Sequence, residues 1–398
     1  MYHSLVRYTN MQQALLIISG IIFGLYILLI FYYWRSWLSI PEFKPRLTNL
    51  APQTRISVII AARDEEENMA ACLDSISRQL YPKEFFEVIV VDDHSTDNTA
   101  TIIKNYADKN VKLISLKDFI SNNLNSYKKK AIEIAISQST GELIVTTDAD
   151  CIVPQHWLQT LAAFYEQYDP AFIAAPVAID CSNKFIEFFQ ALDFMVLQGI
   201  TGASVHKKIH SMCNGANLAY TKKAFEKVGA FSGIDHIASG DDMLLMHKIY
   251  KQGPGKVMFL RSKEAIVQTA PVNSIKDFFN QRIRWASKAD KYDDKRIFFV
   301  LLLVYLVNVL LLILPIAALF MNAQYSTLPT GRQVFHVQPC LPAGRCSMMG
   351  VWLLLLLAKT ITELIFLYPV AKFFSKQGML WMFPLMQPFH IIYTVMAG

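Results

Sequence analysis

An α/β domain built on a parallel sheet and bracketed by long apolar segments is the architecture that this 398-residue chain predicts. Three observations predict it. Between Arg55 and Arg296, short β-branched runs alternate with helical stretches, the pattern of a parallel sheet covered by helices. Long uncharged runs lie on either side of that region. Hydrophobic residues make up 53% of the chain and mean hydropathy is +0.28, more apolar than one soluble domain needs.

The flanks come first. Ala14 to Trp34 carries no charge and, at about 1.5 Å per residue, is long enough to cross a bilayer core. Residues 1–40 therefore read as a membrane anchor. A cleaved signal peptide is the alternative, disfavoured because the apolar core is too long and Tyr32–Trp37 offers no small-residue cleavage site. Ile297 to Met321 is a second clear span. Met348 to Phe374 and Met379 to Met396 are apolar but interrupted, the first by Lys359 and Glu363, the second by Pro384, Pro388 and His390. Residues 297–398 are thus expected to hold two or three spans, with an inserted polar loop at about 322–347 that contains Cys340 and Cys346.

Arg7 precedes the first span, while Arg35, Lys44 and Arg46 follow it, a positive-inside bias that puts the middle of the chain in the cytoplasm. The expectation is an integral protein of the inner or plasma membrane. Cys72, Cys151, Cys181 and Cys213 fall in that middle with no CxxC pair, as reduced thiols would. The formal charge of +6 reads as juxtamembrane basic residues meeting anionic lipid. With no basic tract interleaved with aromatics, nucleic acid is not an expected partner.

Within residues 55–296, "RISVIIAA" reads as the first strand and "EVIVVDD" as the second, with a helix from about Met69 to Leu80 between them. "STDNTA" follows, with Asp97 as a helix cap. "VKLISL" is the third strand, Lys129 to Ser137 a helix, and "GELIVTTDAD" the fourth strand. Their near-continuous apolar runs suit burial on both faces.

Ligands of open α/β sheets sit beyond the carboxyl ends of the strands. There the chain puts Arg63, Asp64 and Glu65, then Asp92 and Asp93, then Asp148 and Asp150. Carboxylates gathered along one edge repel one another unless a cation or hydrogen-bond donors lie between them. A D-x-D triplet arises about once by chance in a chain of this length, so its position carries the reading. Mg²⁺ or Mn²⁺ held by Asp148 and Asp150 together with substrate phosphates fits; two solvated turn aspartates are the plain alternative.

The segments "SVIIAARDEEEN", "EVIVVDDHSTDNT", "GELIVTTDADC", "CNGANLAYTKKAF", "SGDDMLL" and "QRIRW" occur in that order. Over about Arg55 to Trp285 the chain resembles the membrane-bound family 2 glycosyltransferases, in particular the QxxRW-containing branch of cellulose-synthase-like, hyaluronan-synthase-like and ceramide-glucosyltransferase-like enzymes. The resemblance implies a GT-A fold, a Rossmann-like nucleotide-diphospho-sugar transferase domain over residues 55–296 with interfacial helices. It also implies roles. Asp93 would contact the nucleobase or ribose of the donor, with Asp92, Asp64 and Glu65 on the same nucleotide-sugar side. Lys128 would serve the diphosphate, although Lys129 and Lys130 leave the register open. Asp148 and Asp150 would bind the metal, Asp242 would be the general base and Asp241 its neighbour. Asn214 and Asn217 would meet acceptor hydroxyls. Gln281, Arg284 and Trp285 complete QxxRW, Arg284 toward the diphosphate, Trp285 beneath the acceptor sugar. One departure is "VGAF", where the family usually has a glycine pair.

Displacing a nucleoside diphosphate from an anomeric carbon requires stabilised charge on the leaving group and an acceptor hydroxyl relieved of its proton. A divalent metal answers the first need and Asp242 the second, a general base contributing about 10²–10⁴-fold. Direct attack with one base predicts inversion. Plainer readings stand beside these. "GDD" could be a helix N-terminus, and the helix of "QRIRW" an amphipathic interfacial one. Lys184 to Ile200 is either a second interfacial helix or a buried one. His206, His210 and Cys213 have a zinc-like spacing but lack a fourth ligand, and Lys359 with Glu363 is a functional intramembrane pair or an ordinary ion pair. The absence of GxSxG, GxGxxG and phosphate-loop sequences argues against a serine hydrolase, a dehydrogenase or a P-loop enzyme.

The expected function is an inverting, metal-dependent glycosyltransferase that carries a sugar from a nucleotide donor to a lipid or lipid-linked acceptor at the inner membrane surface, uridine being the family's usual nucleotide. Few spans are available for a translocation channel, which puts processive polysaccharide synthesis second. A catalytically inactive nucleotide-sugar sensor or scaffold is the reading from another class, disfavoured by the intact acids.

Overall fold

A computed structural model describes residues 2–45, 53–120, 126–182, 184–209, 212–237, 239–287, 295–321, 323–327, 333–337 and 348–397. Arg46, His210, Cys340 and Cys346 lie outside the described residues. The chain divides into a sheet unit, residues 36–272 with 370–375, and a helical unit, residues 1–35, 273–369 and 376–398.

The chain opens with α1 (Tyr2–Ser39), which contains the first apolar run. In the sheet unit, Arg261 closes the C-terminal end of α1. Its Nη1 donates to the carbonyls of Ile40 (2.7 Å) and Trp37 (3.4 Å), and its guanidinium lies over the Trp37 ring. This supplies carbonyls that a helix end leaves without partners.

Then follow β1 (Ile56–Ala62), α2 (Met69–Ser77), β2 (Phe86–Asp92), α3 (Thr99–Lys104), β3 (Val111–Ser115), α4 (Tyr127–Ser137) and β4 (Leu143–Thr146). Next come β5 (Cys151–Ile152), α5 (Trp157–Tyr168), β6 (Pro170–Ala174), β7 (Val177–Ile179), α6 (Phe185–His206) and β8 (Leu218–Thr221). The unit's later elements are α7 (Lys222–Lys227), α8 (Met243–Gln252), β9 (Lys256–Phe259) and β10 (Val267–Thr269). The main sheet has seven strands in the order β3-β2-β1-β4-β8-β6-β9. The strands β1 to β4 pair in parallel, as their buried apolar runs predict, whereas β8 lies antiparallel to both β4 and β6. Beyond the four strands read from the sequence, the sheet is therefore mixed. A three-stranded sheet, β5-β10-β7, stands beside it.

Because β1 pairs with β2 on one side and β4 on the other, the strand order reverses at β1, the place where open α/β sheets bind ligands. The fourth strand stops at Thr146, not Asp150: β4 ends opposite Ile59 of β1, and the two aspartates occupy the turn before β5. At the opposite end of these strands, Glu87 accepts from Ser57 Oγ (2.6 Å) and from Thr140 N (2.6 Å) and Oγ1 (2.8 Å). Gly141 is required beside it, since a Cβ there would stand 2.4 Å from Ser57 N. α6 is long and apolar enough to cross a membrane, yet 78% of its apolar window is buried inside the protein, against 22–28% for the other three such helices. It is a core helix of the sheet unit, which settles the choice left open for Lys184 to Ile200.

The helical unit holds most of α1, then α9 (Ile275–Ala286), α10 (Lys295–Met321), a hairpin of β11 (Ala323–Thr327) and β12 (Gln333–Val337), most of α11 (Met348–Phe373) and α12 (Phe383–Ala397). The hairpin occupies part of the tract expected to be a loop, Ala323 pairing with Val337 and Thr327 with Gln333. α1, α10 and α11 have the length and composition of membrane spans. The fourth expected run does not form one: residues 377–382 are a 3₁₀ turn, and α12 has 15 residues, about 22 Å against a hydrocarbon core of about 30 Å. Pro384 and Pro388 fall in its first turns, where they withhold backbone donors.

Candidate active site

The carboxyl ends of β1, β2 and β4 deliver their acids to one edge, and two reciprocal turns shape it. Asp64 adopts a left-handed φ of +53° after β1, and His94 one of +59° after β2. Asp64 N donates to Ser95 Oγ (3.0 Å), and Thr96 N returns a bond to Asp64 Oδ1 (2.7 Å). Glu65 N donates to Thr99 Oγ1, Glu66 N to Asp97 Oδ2, and Asn98 N to Glu66 Oε2. Asp64 thus holds the neighbouring turn. Asp97 acts one residue earlier than a cap, accepting from Thr99 N (3.0 Å) while Asn98 takes the N-cap position.

Asp92 and Asp93 are both buried. Asp92 accepts from Ser95 N (3.2 Å), and Asp93 Oδ1 meets His94 Nδ1 at 2.9 Å. The His94 ring packs edge-on against Tyr127, the first residue of α4, with centroids 5.5 Å apart. His94 and Tyr127 were not singled out from sequence; the unusual histidine after "VVDD" was the available signal.

The next residue along α4, Lys128, is the centre of the site. Its Nζ lies 2.7 Å from Asp148 Oδ1 and 3.5 Å from Asp241 Oδ2. The charges of Asp148 and Asp241 hold its pKa well above the ordinary lysine value, against the opposing effect of burial, which is the largest single influence. Of the three consecutive lysines, Lys128 is therefore the one that reaches the acids. Lys130 pairs with Glu133 at 3.2 Å.

Asp150 accepts from Thr269 Oγ1 (3.1 Å) and from the Cys151 thiol (3.5 Å). Burial first, then the charge of Asp148, raises its pKa. Glu65 is raised too, by burial and, partly offset by an Asn68 hydrogen bond, by the charges of Asp150, Asp148 and Asp97. The charge of Asp148 thus discourages ionisation of both Asp150 and Glu65, a concentration of negative charge that a divalent cation would relieve. Among the described residues no group of three or more His, Cys, Asp and Glu side chains is arranged to hold a metal alone. A cation at Asp148 and Asp150 would draw further ligands from a bound phosphate. The thiols beside them are free; burial pushes Cys72 up to about 12 and Cys151 higher still, so they are inert.

Asp242 is the N-cap of α8, its Oδ1 accepting from Met243 N (2.7 Å) and its Oδ2 from Gly215 N (3.1 Å). The helix-terminus reading of "GDD" thus holds. Gly215 lies beside Asp241, Asp242 and Lys128, where a Cβ would stand 3.5–3.7 Å from their side chains, at ordinary contact distance. Asp93, Asp148, Asp150 and the Asp241–Asp242 pair are therefore linked through α4 and Gly215.

Other expected residues are placed differently. Asn214 Oδ1 accepts from Ala216 N (2.9 Å) within its own turn. Asn217 is wholly buried: Oδ1 accepts from Trp157 Nε1 (3.0 Å), while Nδ2 donates to the carbonyls of Pro176 (2.7 Å) and Ala265 (2.8 Å). The expectation that Asn217 meets a sugar hydroxyl is corrected, because its amide is committed to joining α5 to the strands. Gln281, Arg284 and Trp285 lie on α9 of the helical unit. Gln281 Oε1 accepts from Arg282 (3.0 Å), whose guanidinium also stands 4.2 Å from the Trp285 ring centroid; Arg284 is exposed.

Residues 57–229 match the family described as Glycosyl transferase family 2. Poly(ribitol-phosphate) beta-N-acetylglucosaminyltransferase TarS of Staphylococcus aureus (strain Mu50 / ATCC 700699) is 33% identical over 115 residues, covering 29% of this chain and 19% of TarS. Probable glycosyltransferase YdaM of Bacillus subtilis (strain 168) is 25% identical over 259 residues, 62% of this chain and 57% of YdaM. The chain thus spans less than two thirds of either relative. The solved structure of mannosyltransferase PcManGT from Pyrobaculum calidifontis, in complex with GDP-Man and Mn2+, matches 95% of this chain and 99% of its own, with a TM-score of 0.52 and 22% identity. That likeness is one of fold. The matches support a glycosyltransferase: residues 57–229, a little under half of the chain, match the family 2 glycosyltransferase model, and the fold is GT-A-like.

Proposed function

We propose that this chain is an inverting, metal-dependent glycosyltransferase of the membrane-bound, QxxRW-containing branch, transferring a sugar from a nucleotide-sugar donor to a lipid or lipid-linked acceptor at the inner membrane surface. One observation carries the reading: Lys128 joins Asp148, just beyond β4, to Asp241 beside Asp242, while the charges of Asp148 and Asp150 reach Glu65 beyond β1. Asp93 and Asp92 hold the nucleoside, and Lys128 meets the diphosphate. Asp148 and Asp150 would hold Mg²⁺ or Mn²⁺, which neutralises charge on the departing diphosphate. Mn2+ and a guanosine donor in PcManGT support the use of a divalent ion and a nucleotide sugar, and the resemblance favours uridine. Asp242 takes the acceptor's proton, with Asp241 beside it holding Lys128. On the resemblance, Arg284 serves the diphosphate, and Gln281, Trp285 and Asn214 the acceptor.

The three apolar helices that are little buried within the protein support a membrane protein, and the basic residues after the first of them favour a sheet unit in the cytoplasm. A polymer acceptor is the second reading, favoured by the polymer named for TarS. The test is turnover by purified protein in detergent with UDP- and GDP-sugars, with and without Mn²⁺, in the presence of extracted lipids or polymer. Metal-dependent transfer to lipid is expected, and Asp242→Asn should lower its rate by about 10²–10⁴-fold with UDP binding retained. Binding without any turnover would point instead to a sensor or scaffold, and unchanged rates in D242N would remove Asp242 as the base.

A further inference from the structure

The segment between α7 and α8, "VGAFSGIDHIASGDD", runs through left-handed backbone at Gly229, Ala230, Gly233 and Gly240 and ends in Asp241 and Asp242. Among its described residues the main-chain bonds are isolated turn bonds, Ser232 N to Gly229 O (3.0 Å), Ile234 N to Phe231 O (3.0 Å) and Ile237 N to Ile234 O (3.3 Å). Two lysines from outside the loop collect its carbonyls. Lys248 of α8 donates to Ser232 O (2.6 Å), Ala230 O (2.8 Å) and Gly229 O (3.3 Å). Lys129 of α4 donates to Ile237 O (2.6 Å), Ile234 O (2.7 Å) and Ser239 O (3.1 Å), one carbonyl for each N–H an ammonium has.

Lys129 is 2% exposed, and it sits on the α4 face that also buries Ile132 and Ile136, where an apolar residue would ordinarily stand. Burying an ammonium is costly unless its donors are all used, and here the loop uses them. Ser239, the last carbonyl gathered, is two residues before Asp241. The residue before Lys129 is Lys128, 2.7 Å from Asp148 and 3.5 Å from Asp241. One turn of α4 therefore touches the end of β4 with one lysine and grips the approach to Asp241–Asp242 with the next.

We propose that Lys129 is a positioning residue for sugar transfer: with Lys248 it clamps the loop through six main-chain carbonyls and so presents Asp241 and Asp242 at the working distance from Lys128 and Gly215. The inference rests on the proposed glycosyltransferase reading. The residues proposed to hold the donor, at the ends of β1, β2 and β4, at Lys128 of α4 and at Arg284 of α9, all lie outside the clamped loop, so the clamp acts on the transfer step rather than on nucleotide affinity.

The test compares wild type, Lys129→Met and Lys248→Met, full-length and in detergent. Three readouts are needed: transfer rate, UDP affinity with Mn²⁺ by calorimetry, and hydrogen exchange of the amides in 229–240. For K129M the expected result is a fall in kcat of about tenfold or more, UDP affinity within about twofold of wild type, and faster exchange confined to the loop. K248M, which holds the half of the loop farther from Asp241, should show the same exchange effect with a smaller fall in kcat, and it carries the test should K129M fail to fold. Exchange unchanged in the loop overturns the clamp. Loosened exchange with an undiminished kcat overturns its role in transfer, as does UDP affinity falling in step with kcat. Absence of transfer by wild type would instead overturn the functional reading, while the exchange measurement still judges the clamp.

Discussion

Asn217 and Glu87 show at the residue scale how side chains of ordinary appearance come to carry the fold. Asn217 satisfies the Trp157 indole and two loop carbonyls from a position with no exposure. Asn217→Ala would strand those groups, each costing about 1–3 kcal/mol. Urea denaturation of N217A should therefore show a loss of about 2–4 kcal/mol, while the folded fraction keeps its donor affinity. Loss of transfer at unchanged stability would restore the acceptor role. For Glu87, burial acts to raise the pKa, but hydrogen bonds from Ser57, Thr140 and Gly141 together outweigh it and hold the carboxyl below the usual range. A folded value below the unfolded one contributes stability above the unfolded value, and that contribution is lost as pH falls through the folded value. Glu87→Gln should thus be less stable than wild type by about 1 kcal/mol at pH 7, with the gap closing in melts near pH 3.

Elements show the same economy in how helices are pinned. In the helical unit, Lys359 of α11 bonds Glu363 one turn on (2.8 Å) and Gln387 of α12 (2.7 Å). Gln387 donates to Glu363 (2.6 Å), and Tyr26 of α1 also donates to Glu363. Lys359, Glu363, Gln387 and Tyr26 are all buried, and the network ties three helices together. It reads as the mutual ion pair, extended by two neutral groups. Breaking a buried pair from one side leaves an uncompensated charge, so Lys359→Met alone should cost about 3–5 kcal/mol. Replacing both, K359M with E363L, should cost much less. Thermal unfolding in one detergent checks this; a double variant as unstable as the single one would show that the charges are not what holds the helices.

For the molecule as a whole, much was legible in advance. The strands β1 to β4, the acids at their ends and the apolar helices α1, α10 and α11 all appear where composition and periodicity put them. These are local properties: a β-branched run, a 3.6-residue period or an uncharged stretch constrains its own segment whatever the rest of the chain does. The antiparallel course of β8 was not legible, nor was the choice among Lys128, Lys129 and Lys130, of which one meets the acids, one grips a loop and one stays near the surface. Asn217 looked like a ligand residue and is a joint. The sequence by itself determined which chemical groups the protein owns and in what local elements they sit. Tertiary structure alone decided which of them share a space, because burial, strand direction and the partner of a lysine depend on segments a hundred residues away, brought near only when the sheet closes.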